Sequence, residues 1–218
     1  MGWTEYWTTG GGAAQPAYDQ YEWNGCEIGC GPVAMTMMFL WADHQAGTGN
    51  SYWAPRFGLY RQNGGYGADV VAPLSQDQGV DNVIQEIHND VGTFCIFGSG
   101  ATFPWDMGGA WNYLNGRTYT RLECDWDSLG IDEDGLRDKA ISSIRDRHTA
   151  AVIGTGWLSH YPLAFGYAWE QVTVQYCFIF CWTETEIAAY FYVNEGWGQG
   201  GAGDWVDAST WFAGQIFP

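Results

Sequence analysis

In the stretch NGCEIGCGPVAMTMM, residues 24–38, two cysteines four residues apart precede a proline and an apolar run. Pro32 suits the first turn of a helix, where its missing N–H costs no intrahelical bond. A thiol at that helix start faces unpaired backbone N–H groups and the positive end of the helix dipole, which favour thiolate over thiol. Cys30 is placed so and Cys26 is not, which makes Cys30 the candidate nucleophile. Taken alone, the position better suits a cysteine packed as a small hydrophobe, because free cysteines are commonly buried. The six cysteines, at 26, 30, 95, 124, 177 and 181, also allow a different chemistry. Cys26 with Cys30 and Cys177 with Cys181 form two pairs with three intervening residues each, a set able to close a four-cysteine zinc site. If Cys30 is instead a free nucleophile, the five remaining cysteines leave at least one further thiol unpaired, and the disulfide connectivity stays open.

Two later strings bear on that choice. His160 heads the apolar string SHYPLAFGYAW, and its spacing to Gly166 and Tyr167 resembles the strand that carries the catalytic histidine in the papain superfamily. The string YFYVNEGWGQGG, residues 190–201, resembles the asparagine and tryptophan turn of streptopain-like cysteine peptidases. Beside these, NGCEIGC is similar to the papain motif QGSCGSC position for position. Its GCGP continuation resembles bacterial peptidases that process double-glycine leader peptides. The separation from Cys30 to His160, about 130 residues, falls inside the roughly 130 to 150 of papain-type enzymes.

The resemblance implies a papain-like α+β fold and a cysteine peptidase working through Cys30, His160 and Asn194. Cys30 would attack a peptide carbonyl, His160 would take and return the proton, and Asn194 would hold the imidazole. Asn24 falls where the family's oxyanion-hole glutamine sits, beside the Cys30 backbone N–H, and Trp197 would shield the triad from water. It further implies a peptide or protein substrate, a monomer, and neither a metal nor a cofactor. The length ahead of Cys30 suits a mature domain of that family, with signal or propeptide absent from this chain. An acyltransferase or amidase on the same fold shares this triad, and a catalytically inactive binding or toxin module is the reading from another class.

These residues need elements to carry them. CGPVAMTMMFLWADHQ, residues 30–45, is apolar on nearly every side and predicts a buried helix that begins at the second cysteine. Residues 1–23 read as an irregular arm and residues 46–74 as a long loop region. Helical spacing predicts a helix over 80–91 and another near 104–115, closed by Asn115 and Gly116. TYTRLECDW alternates like a strand. Residues 132–147 form the clearest helix, with acids at the start and bases at the end. Segments 149–155, 161–168, 171–182, 188–194 and 204–207 predict antiparallel strands. The chain thus divides into a helical part, about 24–148, and a β-rich part, about 149–218. One domain of two lobes with the site in the cleft between them is the expectation.

Composition narrows the partners. The chain has 218 residues, 25 acids against 8 basic residues, a formal charge of −17 and Lys139 as its single lysine. That balance argues against nucleic acid and anionic lipid, and for neutral or basic substrates. No apolar run reaches the roughly 20 residues of a spanning helix, so no membrane insertion is expected. Acidity with 14 Trp and 6 Cys suits a secreted or cell-envelope protein. IDEDGL lacks the rest of a calcium loop, GQGGAG lacks the Lys of a phosphate loop, and His44, His88 and His148 have polar neighbours that suit surface or helix-end roles.

Overall fold

The computed structural model describes residues 3–8, 15–49, 53, 59–60, 71–118, 120–127, 129, 131–156, 160–198 and 202–217. Most of the predicted loop region 46–74 lies outside them, as does part of GQGGAG. The architecture is mixed, with helices packed on a large antiparallel sheet.

Helix α1 (Cys30–Gly47) organises the molecule. Its side chains from Val33 to Trp41 are all essentially inaccessible to solvent, so no face is left to water. Helix α2 (Gln78–Asp90) covers it on one side with Val80, Val83, Ile84 and Ile87, and is capped by the Asp77 carboxylate, which accepts from the Val80 N–H at 2.9 Å. A 3₁₀ turn (Met107–Ala110) and the short helix α3 (Trp111–Leu114) add Met107 and Tyr113. Within this core, Phe39 and Tyr113 stack nearly parallel with ring centroids 6.2 Å apart.

The other side of α1 rests on the sheet. Strands β6 (Arg121–Trp126), β7 (Ala151–Ile153), β8 (Leu163–Cys177), β9 (Cys181–Asn194), β10 (Ala202–Asp207) and β11 (Phe212–Phe217) lie in the order β10-β9-β8-β7-β11-β6, all antiparallel. Strand β1 (Thr4–Trp7) pairs with β8 further along the edge that β7 leaves. Helix α4 (Glu133–Arg145) covers the opposite face, where Ile141 and Ile144 meet Ile153, Tyr167 and Phe191. Leu163 and Phe165 face α1, whereas Ala164 and Tyr167 face α4. Simple alternation would put Tyr167 with Phe165, and a register shift between Ala164 and Gly166 inverts it.

Three expectations change. Residues 4–7 are a strand, not an irregular arm, because their alternate faces pack on Tyr167 and Phe165. Strand β6 leaves the helical part of the chain to pair with β11 at the sheet edge, so the two lobes share one sheet. Segments 161–168 and 171–182 are not two strands. Strand β8 runs unbroken to Cys177, turns over Phe178–Phe180 and returns as β9. The reversal carries no Gly, Pro, Asn or Asp. The Cys177–Cys181 disulfide closes it, which is why the usual turn signal is missing from the sequence.

Phe39→Ala removes a fully buried ring from a core that α1 cannot collapse to fill. It should cost about 3 to 5 kcal/mol in the urea-unfolding free energy.

Candidate active site

The chain reaches Cys30 through a short hairpin, β2 (Glu22–Trp23) and β3 (Cys26–Glu27). Its two-residue turn is Asn24–Gly25, both at positive φ (54° and 80°), the conformation for which Asn-Gly is the strongest hairpin signal. Asn24 is therefore exposed at the tip of a turn. The turn by itself accounts for an asparagine at this position. Cys26 is disulfide-bonded to Cys95. This ties the hairpin to a second one, β4 (Phe94–Ile96) and β5 (Ser99–Ala101). With Cys177–Cys181 also closed, four thiols are spent in disulfides and the four-cysteine zinc arrangement does not form.

The free cysteines are Cys30 and Cys124; with Cys30 unpaired, the odd number of remaining thiols leaves another one alone. Cys124 lies on β6, where burial first, and then Asp125 and Glu123, push its thiol up to about 12, leaving it inert at neutral pH. Cys30 is half-buried at the start of α1, and no side chain caps that terminus, so the first-turn backbone N–H groups remain available. Close packing fixes the approach. A Cβ on Gly29 would stand 2.8 Å from the Gly100 carbonyl oxygen, and one on Gly31 would stand 2.9 Å from Thr102 Oγ1. The glycine after the nucleophile thus answers to the segment following β5.

His160 sits just before β8, where its carbonyl accepts from the Thr155 N–H at 2.9 Å. The neighbouring Tyr161 hydroxyl donates to the Thr102 carbonyl at 3.1 Å and so links the histidine segment to the segment beside Gly31. The imidazole lies beside the Cys30 sulfur, close enough for the sulfur to favour its protonated form. Its Nε2 lies 2.7 Å from Glu195 Oε2, an ion-pair contact with the carboxylate off the line of a straight N–H bond. Trp197 stacks parallel to the imidazole, interplanar angle 6° and centroids 6.2 Å apart, while remaining 48% exposed.

Asn194 has other partners. It is wholly buried at the end of β9, its Nδ2 donates to the Pro16 carbonyl at 2.6 Å, and its Oδ1 accepts from the Gly196 N–H at 2.9 Å. Those bonds turn the chain sharply and clamp it to residues 16–20, with Gly198 N–H donating to Tyr18 O and Gln20 N–H to Gly196 O. Gly196, at φ +74°, packs on Val33 in the first turns of α1. The next residue in sequence, Glu195, is the one turned towards His160. Sequence reasoning passed over it because the streptopain-like pattern fixes attention on the asparagine; its acidic neighbour, one residue on, was the only signal.

The electrostatics follow the geometry. Burial alone would lower the His160 pKa, but the adjacent Cys30 sulfur and Glu195 carboxylate outweigh it and raise it to about 10. The arrangement holds a proton on an imidazole between a sulfur and a carboxylate, next to a helix start with free N–H groups. That set can deliver a sulfur nucleophile and then a proton.

No protein-family profile and no curated protein sequence matches the chain. Among solved structures, a Prevotella intermedia prointerpain A fragment carrying a Cys-to-Ala mutation is similar at TM-score 0.54 and 9% identity, over 97% of this chain and 71% of that one. This is a distant relation of fold, consistent with the mixed helix and antiparallel-sheet architecture.

Two measurements separate the roles of the adjacent residues. Asn194→Ala should destabilise the chain by about 1 to 3 kcal/mol for each partner it abandons. Glu195→Gln should leave the unfolding free energy nearly unchanged only above about pH 10, lower it at neutral pH, and move the His160 NMR titration down from about 10 towards the ordinary 6.5. Because the folded state holds that proton more tightly, its stabilisation is complete below pH 6.5 and fades as pH rises through about 10. Glu195→Gln should shrink that fade.

Proposed function

We propose that the chain is a cysteine-type hydrolase that cleaves peptide bonds through Cys30, His160 and Glu195. The observation that carries this reading is the imidazole held between the Cys30 sulfur and the Glu195 carboxylate. Glu195 takes the orienting place that the family resemblance gives to Asn194, and Asn194 acts one step removed, by building the turn that presents it.

Starting from thiolate and imidazolium, the Cys30 sulfur adds to the substrate carbonyl carbon, and the carbonyl electron pair moves to oxygen. The oxyanion is met by the Cys30 backbone N–H at the uncapped start of α1. Asn24 is left to its turn. As the tetrahedral intermediate collapses, the C–N bond breaks and His160 gives its proton to the leaving amine. Neutral His160 then takes a proton from water, whose oxygen attacks the thioester and expels the Cys30 sulfur. Hydroxyl or amine acceptors in place of water would give acyl transfer through the same steps. Glu195 favours the imidazolium throughout and sets the ring angle, while Trp197 covers one ring face.

Two disulfides support an oxidising location, secreted or in the cell envelope. The charge of −17 supports neutral or basic peptides over acidic ones as substrates.

Treatment with a thiol-reactive epoxide should give a single adduct, on Cys30, as read by mass spectrometry, and His160→Ala should abolish it. Profiling on a peptide library should show cleavage by the wild type, none by Cys30→Ala, and a fall of up to about a hundredfold in kcat/KM for Glu195→Gln as the imidazole loses its fixed orientation. Equal labelling of Cys124, or cleavage that survives Cys30→Ala, would overturn the assignment.

A further inference from the structure

The β8–β9 hairpin outruns the sheet. Strand β1 pairs with β8 only as far as Trp169, and beyond the pair Trp169 and Ala189 both strands continue to Cys177 and Cys181 with no other described strand paired to them and most of their side chains exposed. Eight further residue rises give a projection of roughly 26 Å. A free two-stranded ribbon of this kind is marginal in water, and here the disulfide across its end and the Tyr176–Trp182 pair, centroids 5.7 Å apart, hold it closed.

The tip of this ribbon is what water would least favour. Phe178, Ile179 and Phe180 are 90%, 77% and 81% exposed, three large apolar side chains in succession on a covalently closed turn. Tyr176 and Trp182 come next, directly opposite each other. The acids Glu184 and Glu186 follow, accepting from the Trp182 indole N–H at 3.1 Å and from the Tyr176 hydroxyl. No Lys or Arg occurs between residues 148 and 218.

We infer that this hairpin docks the protein reversibly on the surface of a zwitterionic phospholipid bilayer, with Phe178, Ile179 and Phe180 entering the acyl boundary. The order along the ribbon is that of a membrane interface read from inside outwards: an apolar layer, then an amphipathic Trp and Tyr level, then charge. The apolar layer is about two residue rises deep, roughly 7 Å, enough to sit in the interface and far too little to span. One backbone donor and one acceptor of the tip are already paired, the Phe178 N–H donating to the Phe180 carbonyl, which lowers the cost of entry. The acids below the belt, and a chain charge of −17, set neutral headgroups above anionic ones and oppose tip-to-tip pairing of two copies. This inference is independent of the proposed peptidase chemistry.

The test is co-sedimentation of the whole chain with phosphatidylcholine vesicles, with and without added phosphatidylserine. The wild type should pellet with phosphatidylcholine. Phe178→Ser, Ile179→Ser and Phe180→Ser together should lower the partition coefficient at least about tenfold, and Ile179→Asp alone should lower it as well. Phosphatidylserine should weaken binding. Both variants change only exposed tip residues, and an unchanged urea-unfolding midpoint verifies that. Equal partitioning of wild type and both variants overturns the proposal, as does failure of the wild type to pellet. A wild-type dimer on a sizing column, lost in Ile179→Asp, would overturn it in favour of a second copy as the occupant.

Discussion

A helix with apolar side chains on every face has to be enclosed on every face, and that requirement on α1 is what the rest of the structure satisfies. The sheet closes one side, α2 and the segment around Met107 and Tyr113 the other, and only the first residue and the last turn, at His44 and Gly47, are left near solvent. Burying the helix body therefore sets the nucleophile: Cys30 is the point where a fully desolvated element opens to water with its terminal N–H groups unspent. The surrounding glycines follow from the same constraint. Gly29 and Gly31 let the β5 segment come within contact distance of the helix start, and Gly196 lets the turn after β9 lie on Val33.

Placement of the histidine and its acidic partner also depends on α1. His160 reaches the helix start from the sheet side, held through Tyr161 to Thr102. Glu195 reaches it from the turn that Asn194 builds and Pro16 anchors. Three segments far apart in sequence thus converge at the helix start, each fixed by hydrogen bonds or close packing outside the site itself. The proton on His160 is the electrostatic result. A partly buried imidazole would ordinarily lose its charge, and it keeps it because a carboxylate and a sulfur lie on either side.

The hairpin beyond Trp169 obeys a different rule. It contributes nothing to either core, and a ribbon without a core needs a covalent closure, which Cys177–Cys181 supplies. The same feature explains why a segment dense in Phe, Ile and Trp passes for buried strand when read in one dimension. Aromatic and β-branched residues signal a strand equally well whether its faces meet a core or water.

Local chemistry was enough to determine α1, α2 and α4, the position of Cys30 at a helix start, His160 at the head of an apolar strand, and one unpaired cysteine beyond the nucleophile. Each of these depends on neighbours within a few turns or on simple parity. The resemblance of three motifs, and their order, implied a papain-like arrangement. Tertiary structure alone decided which thiols pair, that β8 and β9 are one long hairpin, that Asn24 serves a turn, and that Glu195 rather than Asn194 meets the imidazole. Asn194 and Glu195 are adjacent, and which of them faces His160 turns on the direction in which the chain leaves β9. That direction is set by a hydrogen bond to Pro16, at the far end of the chain. A contact between residues so distant in sequence leaves no trace in the local pattern of either.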